Sequence, residues 1–277
     1  MAKQVDMSMI DMDLIREQDL ATNGGERVPV CLCLDTSGSM LTVTGAEGTG
    51  KYVKIDNQTY ELAKGGTSRL KTLQMGINLF YDAVYADVMA RYSAELAVVT
   101  FDDKAEVRSD FSRVEYTIEG QKTRIEVPNL EAHGSTNMGL GINLALDILN
   151  KRKEMYQKQG VDYYQPWLVL MTDGEDNGSP AELEKARQRI WELVNERKLS
   201  VYPFFIGEDD SDEAEQGMRT LASLSPKQEP LRIGVRQMKG MFQWLSKSVV
   251  AASSGELEPG QTTIDQFVVK SWNDPLI

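Results

Sequence analysis

The sequence contains few residues of the kinds that build disulfide frameworks and zinc sites. It has two cysteines and one histidine in 277 residues, too few for a network of disulfides and for most zinc chemistry. It also lacks any stretch close to the roughly 18 uncharged apolar residues that a membrane span needs. Residues 1–27 contain no basic patch leading into an apolar run, so we expect no signal peptide. Together these absences predict a cytoplasmic protein that does not bind membranes.

Positive charge is scarce as well. The chain has 30 Lys and Arg residues against 42 Asp and Glu residues, which gives a net charge of −12. Nucleic-acid binding depends on surfaces rich in Lys and Arg, so this charge argues against a nucleic-acid partner. The apolar share of 41% and the charged share of 26% are those of a folded globular chain. The length allows one large domain or two small ones.

Short apolar runs alternate along the chain with segments of helical periodicity. A continuous apolar run is typical of a strand buried on both faces of a sheet, and apolar residues three and four positions apart predict an amphipathic helix. The predicted strands are 28–34, 96–101, 167–171, 201–206 and 231–235. The predicted helices are 68–91, 138–149, 210–224 and 238–249, and a further helix is predicted to begin with a capping box at Ser179 and Glu182. This alternation predicts an α/β domain with a doubly wound, mostly parallel sheet covered by helices on both faces.

The remaining segments flank or interrupt this domain. Residues 1–27 are polar and are predicted to form an N-terminal arm on a domain of residues 28–252. Residues 253–277 are predicted to form a C-terminal tail, either a flexible extension or a strap across the domain. Between the first strand and the first helix, residues 41–66 contain two extended runs joined by a turn, which predicts an inserted hairpin. A second hairpin, with edge strands, is predicted around residues 119–122.

Acidic and hydroxyl side chains follow the first strand in the run Asp35-Thr36-Ser37-Gly38-Ser39-Met40. Similar groups occur in Gly134-Ser135-Thr136, directly before the second helix, and in Met171-Thr172-Asp173-Gly174, at the end of the third strand. Open α/β sheets place their ligand sites at the carboxyl ends of the strands. Hard oxygen donors of this type suit Mg²⁺ or Mn²⁺. The sequence therefore predicts a divalent-cation site formed by these segments.

The three segments resemble the metal-ion-dependent adhesion site of the von Willebrand factor A domain family. That site combines an Asp-x-Ser-x-Ser run, a Thr in a Gly-containing loop and an Asp in a Thr-Asp-Gly turn, and all three occur here in that order. The resemblance covers residues 28–252 and implies the same α/β fold and a bound Mg²⁺ or Mn²⁺. The metal ligands that it implies are Asp35, Ser37, Ser39, Thr136 and Asp173.

The resemblance also implies a binding function. In the family the hydroxyls bind the metal directly and the acids often act through water, so the cation keeps an open position that favours an Asp or Glu of a partner protein. The pattern contains no general base, nucleophile or oxyanion hole, so an enzyme is not expected. Two alternatives remain open. One is a Mg²⁺-dependent phosphoesterase that uses Asp35 and Asp173, and the other is a partner subunit of an AAA+ ATPase, a role that other domains of the family serve.

Within the family, the chain looks most similar to bacterial TerY-type proteins of tellurite-resistance and stress operons. The similarity is carried by residues 34–40, 100–102, 170–175 and 242–246. It implies an adaptor in a bacterial stress-response or defence system, with a protein kinase and a phosphatase encoded nearby as partners. In the family pattern a helix follows the Asp-x-Ser-x-Ser run almost at once, whereas here residues 41–66 are inserted. This insertion argues against a wide-open binding face.

Four further features have simpler interpretations. Residues 45–51 match the G-x4-G-K pattern of a phosphate loop but lack the Ser or Thr that should follow, so nucleotide binding is not predicted. Cys31 and Cys33 lie on one face of a buried strand and are interpreted as core residues. His133 could line the metal site, although a structural hydrogen bond is the simpler role. Thr136 could cap the second helix as well as bind a metal.

Overall fold

The computed structural model describes residues 11–254, apart from residues 23, 45–46, 56, 119, 208–210 and 228. The α-helices in these ranges are α1 (Met12–Thr22), α2 (Arg69–Ala86), α3 (Val88–Ser93), α4 (Met138–Gln159), α5 (Pro180–Asn195), α6 (Asp212–Leu224) and α7 (Val235–Ser253), and Gly38–Leu41 form a short 3₁₀ helix. The strands are β1 (Val28–Asp35), β2 (Val43–Thr44), β3 (Glu47–Ile55), β4 (Gln58–Lys64), β5 (Thr67–Ser68), β6 (Ala94–Phe101), β7 (Ala105–Ser112), β8 (Glu115–Ile118), β9 (Gln121–Arg124), β10 (Trp167–Thr172), β11 (Ser200–Ile206) and β12 (Leu231–Ile233). None of the helices described is both long enough and apolar enough to cross a lipid bilayer. The predicted tail from residue 255 onward and the first ten residues of the predicted arm lie outside the described residues.

Six strands form the central sheet in the order β12-β11-β10-β1-β6-β7. Five of them run parallel, and β7 pairs antiparallel with β6 at one edge. The neighbours β1 and β10 are followed by α2 and α5, which pack on opposite faces of the sheet. The predicted doubly wound α/β fold is therefore confirmed. The crevice between the ends of β1 and β10 is a topological switch point, where such folds place their ligands.

Strand β1 is buried along its whole length because helices cover the sheet on both faces. Val30 and Leu32 pack in the core beneath α2 and α7, whereas Cys31 and Cys33 pack in the core beneath α4 and α5. Both cysteines are free thiols with no exposed surface, and burial raises the pKa of each thiol above its ordinary value. They are core residues, as their positions on one strand face indicated.

Two predictions about helices are wrong in detail. The single long helix predicted between the first two strands is broken at Asp87, whose extended backbone (φ −86°, ψ 132°) cannot continue a helix. The Asp87 side chain instead caps α3 by accepting a 2.8 Å hydrogen bond from the N–H of Ala90. The capping box predicted for α5 is absent, because Ser179 makes no side-chain cap hydrogen bond. Glu182 accepts a 2.9 Å hydrogen bond from Asn143 of α4 instead.

Residues 41–66 contain the predicted inserted hairpin. Strand β3 pairs antiparallel with β4, with Tyr52 opposite Glu61, and Asn57 at the turn has a positive φ of 66°. The shorter pair β2 and β5 forms the stem of the insertion and returns the chain to the start of α2. Gly48 and Lys51, from the stretch that mimics a phosphate loop, lie within β3, so no helix begins there to bind a phosphate.

The second predicted hairpin is formed by β8 and β9, which pair antiparallel across a turn at Gly120 with φ 78°. They form a separate two-stranded sheet, in which each is an edge strand as predicted. The antiparallel edge position beside β6 is taken by β7.

A buried network of charges joins α1 to the amino ends of the strands. Glu95 of β6 accepts two hydrogen bonds from Arg152 of α4, at 2.6 and 2.7 Å, and one from the hydroxyl of Tyr156, at 2.5 Å. Arg27 lies between Glu95 and Asp19 of α1, with nitrogen–oxygen distances of 3.3 Å to each. All five side chains are buried. The network therefore fixes α1 to the body of the domain at the end of the sheet opposite the switch point.

Candidate functional site

The segments that follow β1 and β10 meet at one edge of the sheet, because these strands are neighbours. A cavity of about 530 Å³ opens at this edge. Its lining includes Ser37, Ser39, Thr136 and Asp173, which are four of the five residues that the resemblance assigns to a metal. The fifth, Asp35, is the last residue of β1 and is fully buried. The structure thus brings Ser39 together with Asp173, which lies 134 residues further along the chain.

The hydroxyls of Ser37 and Ser39 form a connected cluster with one carboxylate in this cavity. The Oγ atoms of Ser37 and Ser39 are 2.9 Å apart, and Ser39 donates a 2.6 Å hydrogen bond to Oδ1 of Asp173. A Cβ atom added at Gly174 would lie 3.9 Å from the hydroxyls of both Ser39 and Thr136, so Thr136 faces the same space. Three hydroxyls and one carboxylate therefore share one small polar region.

Asp35 holds the loop that carries the two serines. Its Oδ1 accepts a 2.8 Å hydrogen bond from the N–H of Ser37, and its Oδ2 accepts a 2.5 Å hydrogen bond from the hydroxyl of Thr172. Burial, and to a smaller extent the charge of Asp173, raise the pKa of Asp35 to about 7. A cation bound nearby would oppose both effects, because positive charge favours the ionised form of a carboxyl group. A bound cation would therefore stabilise the ionised form of Asp35.

Arg69 lines the same cavity, although the sequence did not indicate it as a site residue. It is the first residue of α2, and its Nη1 donates a 2.8 Å hydrogen bond to Oδ2 of Asp173. Burial raises the pKa of Asp173, and the charge of Arg69 partly reverses this shift. The available signal was the apolar periodicity of residues 68–91, which predicted where the helix begins but not where the Arg69 side chain points.

The loop before α4 is held in place by contacts of its own. Asp103 accepts hydrogen bonds from the N–H and the hydroxyl of Ser135, at 3.0 and 2.5 Å. The carbonyl of Gly134 accepts a 3.0 Å hydrogen bond from the N–H of Gly38, which links this loop to the serine-bearing loop. Gly134 has a positive φ of 60°, and a Cβ there would collide with the Asp103 carboxylate. Only glycine fits this position without strain.

Two alternative roles considered for neighbouring residues do not match the structure. The cap of α4 is Asn137, whose Oδ1 accepts a 3.3 Å hydrogen bond from the N–H of Leu140, rather than Thr136. The side chain of His133 is 66% exposed and lies near Glu131. It lines an adjacent cavity rather than the one that contains the hydroxyl cluster.

The donor atoms of this cluster can hold a hard divalent cation. Hydroxyl and carboxylate oxygens are the ligands that Mg²⁺ and Mn²⁺ prefer. Within the described part of the chain, no three His, Cys, Asp or Glu side chains group closely enough to hold a metal ion. A cation at this edge would therefore depend on the hydroxyls of Ser37, Ser39 and Thr136, and the residues present fit that requirement.

The fold and this site define a class of protein: a doubly wound α/β domain with a polar ligand cavity at its topological switch point. The family model of the von Willebrand factor type A domain matches residues 30–175, which is more than half of the chain. The chain therefore belongs to the von Willebrand factor type A domain family. No curated protein sequence matches it significantly.

Solved structures share this fold at low sequence identity. The vWF domain of the type V pili tip protein Mfa5 from Porphyromonas gingivalis aligns with 86% of this chain and 99% of its own, with a TM-score of 0.54 and 12% identity. The PilB minor pilin from Streptococcus sanguinis aligns with 85% of this chain and 64% of its own, with a TM-score of 0.53 and 16% identity. A von Willebrand factor type A protein from Catenulispora acidiphila aligns with 82% of this chain and 43% of its own, with a TM-score of 0.47 and 19% identity. This chain thus spans less than two thirds of the length of the last two proteins.

Proposed function

We propose that this domain binds Mg²⁺ or Mn²⁺ through Asp35, Ser37, Ser39, Thr136 and Asp173, and uses the cation to bind an acidic side chain of a partner protein. The observation that supports this function most directly is the convergence of three hydroxyls and Asp173 on one cavity at the switch point. Membership of the von Willebrand factor type A family supports a role in protein binding.

The types of ligand explain why a partner carboxylate would be attracted. Neutral hydroxyl ligands leave the charge of a divalent cation largely uncompensated, so an additional anionic ligand is favourable. The cavity of about 530 Å³ offers room for a side chain from outside. We propose binding rather than catalysis at this cavity, whose lining among the described residues includes no His, Cys or Lys.

The more specific role that we propose is an adaptor in a bacterial stress-response or defence system. The similarity of residues 34–40 and 170–175 to TerY-type proteins supports a kinase and phosphatase pair as partners. A partner role for an AAA+ ATPase is the alternative. The genes next to the one that encodes this chain distinguish the two, because a kinase and phosphatase or an ATPase should be encoded there.

Binding of such a partner is expected to require the cation. The chain is immobilised and tested against each protein encoded nearby, first with Mg²⁺, then with EDTA, and again after Mg²⁺ is restored. We expect capture with Mg²⁺, loss with EDTA and recovery with Mg²⁺, because the partner carboxylate would complete the coordination of the metal. A partner that binds equally well in EDTA would show that another surface is used.

The inserted hairpin is expected to contribute to partner binding. Gln58 of β4 lines the cavity, and Tyr52 of β3 is 67% exposed, as is typical of aromatic contact residues. Replacing residues 47–64 by a short Gly/Ser linker, with the β2–β5 stem retained, should weaken partner binding and leave Mg²⁺ affinity within about twofold, since loop exchanges at a surface cost little. Tighter partner binding after the exchange would instead identify the hairpin as a gate, and unchanged binding would exclude both roles.

A further inference from the structure

Arg69 places a fixed positive charge inside the proposed metal site. Its Nη1 lies 2.8 Å from Oδ2 of Asp173, and the two side chains are 10% and 0% exposed. Water and salt therefore screen this pair weakly. Arg69 also lines the cavity that contains the hydroxyls of Ser37, Ser39 and Thr136. A cation entering the cavity would meet an arginine that already forms an ion pair with the carboxylate of Asp173.

Backbone hydrogen bonds hold Arg69 in this position. Its N–H donates to the carbonyl of Thr42 at 3.0 Å, and the N–H of Thr42 donates to the carbonyl of Ser39 at 2.9 Å. Ser68 caps α2 by accepting a 3.2 Å hydrogen bond from the N–H of Lys71. The stem of the insertion therefore connects the start of α2 directly to the loop that carries Ser39. Arg69 is a fixed part of the site rather than a mobile surface residue.

We propose that Arg69 is an internal counter-ion of Asp173 that weakens metal binding by itself and strengthens the binding of an acidic partner to the metal-loaded site. This inference rests on the proposed metal-binding function and adds the residue that sets the affinity for both ligands. The insertion at residues 41–66 also contributes to the site, because its β2–β5 stem positions the charge of Arg69.

The charges in the site account for both effects. Asp173 in the site and Glu175 and Glu213 in the cavity lining attract a divalent cation, and the positive charge of Arg69 reduces that attraction. Once the cation is bound, the same charge of Arg69 favours a carboxylate of the partner. Without Arg69 the loaded site has one positive charge less, so a carboxylate is attracted less strongly. Removing Arg69 should therefore change metal affinity and carboxylate affinity in opposite directions.

Calorimetric titration of the full chain with MgCl₂ and MnCl₂ tests the first effect. We expect Arg69→Gln to bind Mn²⁺ at least about tenfold more tightly than the unmodified protein, because a positive charge beside the cation is removed. Arg69→Lys keeps that charge and should stay within about threefold of the unmodified protein. The matched control is Arg124→Gln, which removes an arginine from an exposed pair with Asp82 and should leave Mn²⁺ affinity unchanged.

Acetate serves as the probe for the second effect. Replacing sodium chloride by sodium acetate at equal ionic strength should increase the apparent Mn²⁺ affinity of the unmodified protein, because the two ligands support each other's binding. The increase should be smaller in Arg69→Gln, whose loaded site has one positive charge less. An equal increase in both proteins would overturn the proposed effect of Arg69 on an acidic ligand.

The possible outcomes separate this inference from the proposed function. Equal Mn²⁺ affinity of the unmodified protein and Arg69→Gln would overturn the role of Arg69 and leave the metal site intact. Equal tightening in Arg69→Gln and Arg69→Lys would show that the shape of the side chain, not its charge, is responsible. No binding of Mg²⁺ or Mn²⁺ by any variant would overturn both proposals. If Arg69→Gln and Arg69→Met both fail to fold, as judged by circular dichroism, Arg69 belongs to the fold and the inference is wrong.

Discussion

Asp35→Ala is expected to abolish the binding of Mg²⁺ and Mn²⁺. The substitution removes one of only two acids in the proposed ligand set, and it removes the acceptor of the hydrogen bonds from Ser37 and Thr172. Both the charge that attracts the cation and the loop that presents the serine hydroxyls would be lost. Loss of a partner that only orients a ligand already costs about 10–100-fold in metal affinity, so calorimetry should detect no binding by this variant.

Two further variants separate charge from loop structure. Asp35→Asn keeps an oxygen that can accept from the N–H of Ser37 but removes the charge, and it should also lose most Mg²⁺ affinity. Asp102→Ala is the matched control, since Asp102 follows the neighbouring strand β6 and lines the adjacent cavity instead. It should bind Mg²⁺ like the unmodified protein. Equal Mg²⁺ binding by Asp35→Ala and the unmodified protein would refute the ligand assignment, and a protein that binds only Zn²⁺ would also contradict it.

Glu95→Gln is expected to destabilise the protein strongly without any change at the cavity. Glu95 is fully buried, accepts two hydrogen bonds from Arg152, and lies 3.3 Å from Arg27. Removing its charge leaves two buried arginines without their shared carboxylate, and breaking a buried ion pair from one side costs about 3–5 kcal/mol. For a domain of this size that loss corresponds to a decrease in Tm of about 6–20 °C, which thermal unfolding followed by circular dichroism would measure.

The control for Glu95 is an exposed glutamate with the same type of partner. Glu106 pairs with Arg108 at 3.3 Å, and its side chain is 58% exposed. Because water screens this pair, Glu106→Gln should change the free energy of unfolding by less than about 1 kcal/mol. A decrease in stability of similar size for both variants would mean that the buried network around Glu95 has no special role.

Local patterns in the sequence determine most of the fold. The continuous apolar run before Asp35 is typical of a strand covered on both faces, and the burial of Cys31 and Cys33 follows from their positions in that run. The run Asp35-Thr36-Ser37-Gly38-Ser39 follows this strand directly, so its place at the carboxyl edge of the sheet was predictable. These features depend on residues that are close together in the sequence, which is why a single sequence suffices to predict them.

Contacts between distant segments decided the rest. The break in the helix at Asp87 and the missing capping box at Ser179 depend on where neighbouring elements lie, and helical periodicity does not report that. The same holds for Glu95, which looks like an ordinary strand-end charge until Arg27 and Arg152 pack around it. Arg69 is the clearest case, since 104 residues separate it from Asp173. The sequence by itself determined the strand ends and the oxygen-bearing side chains that follow them. Only the tertiary structure placed a positive charge among those side chains, because side-chain direction at a helix start is set by the chain that packs against it.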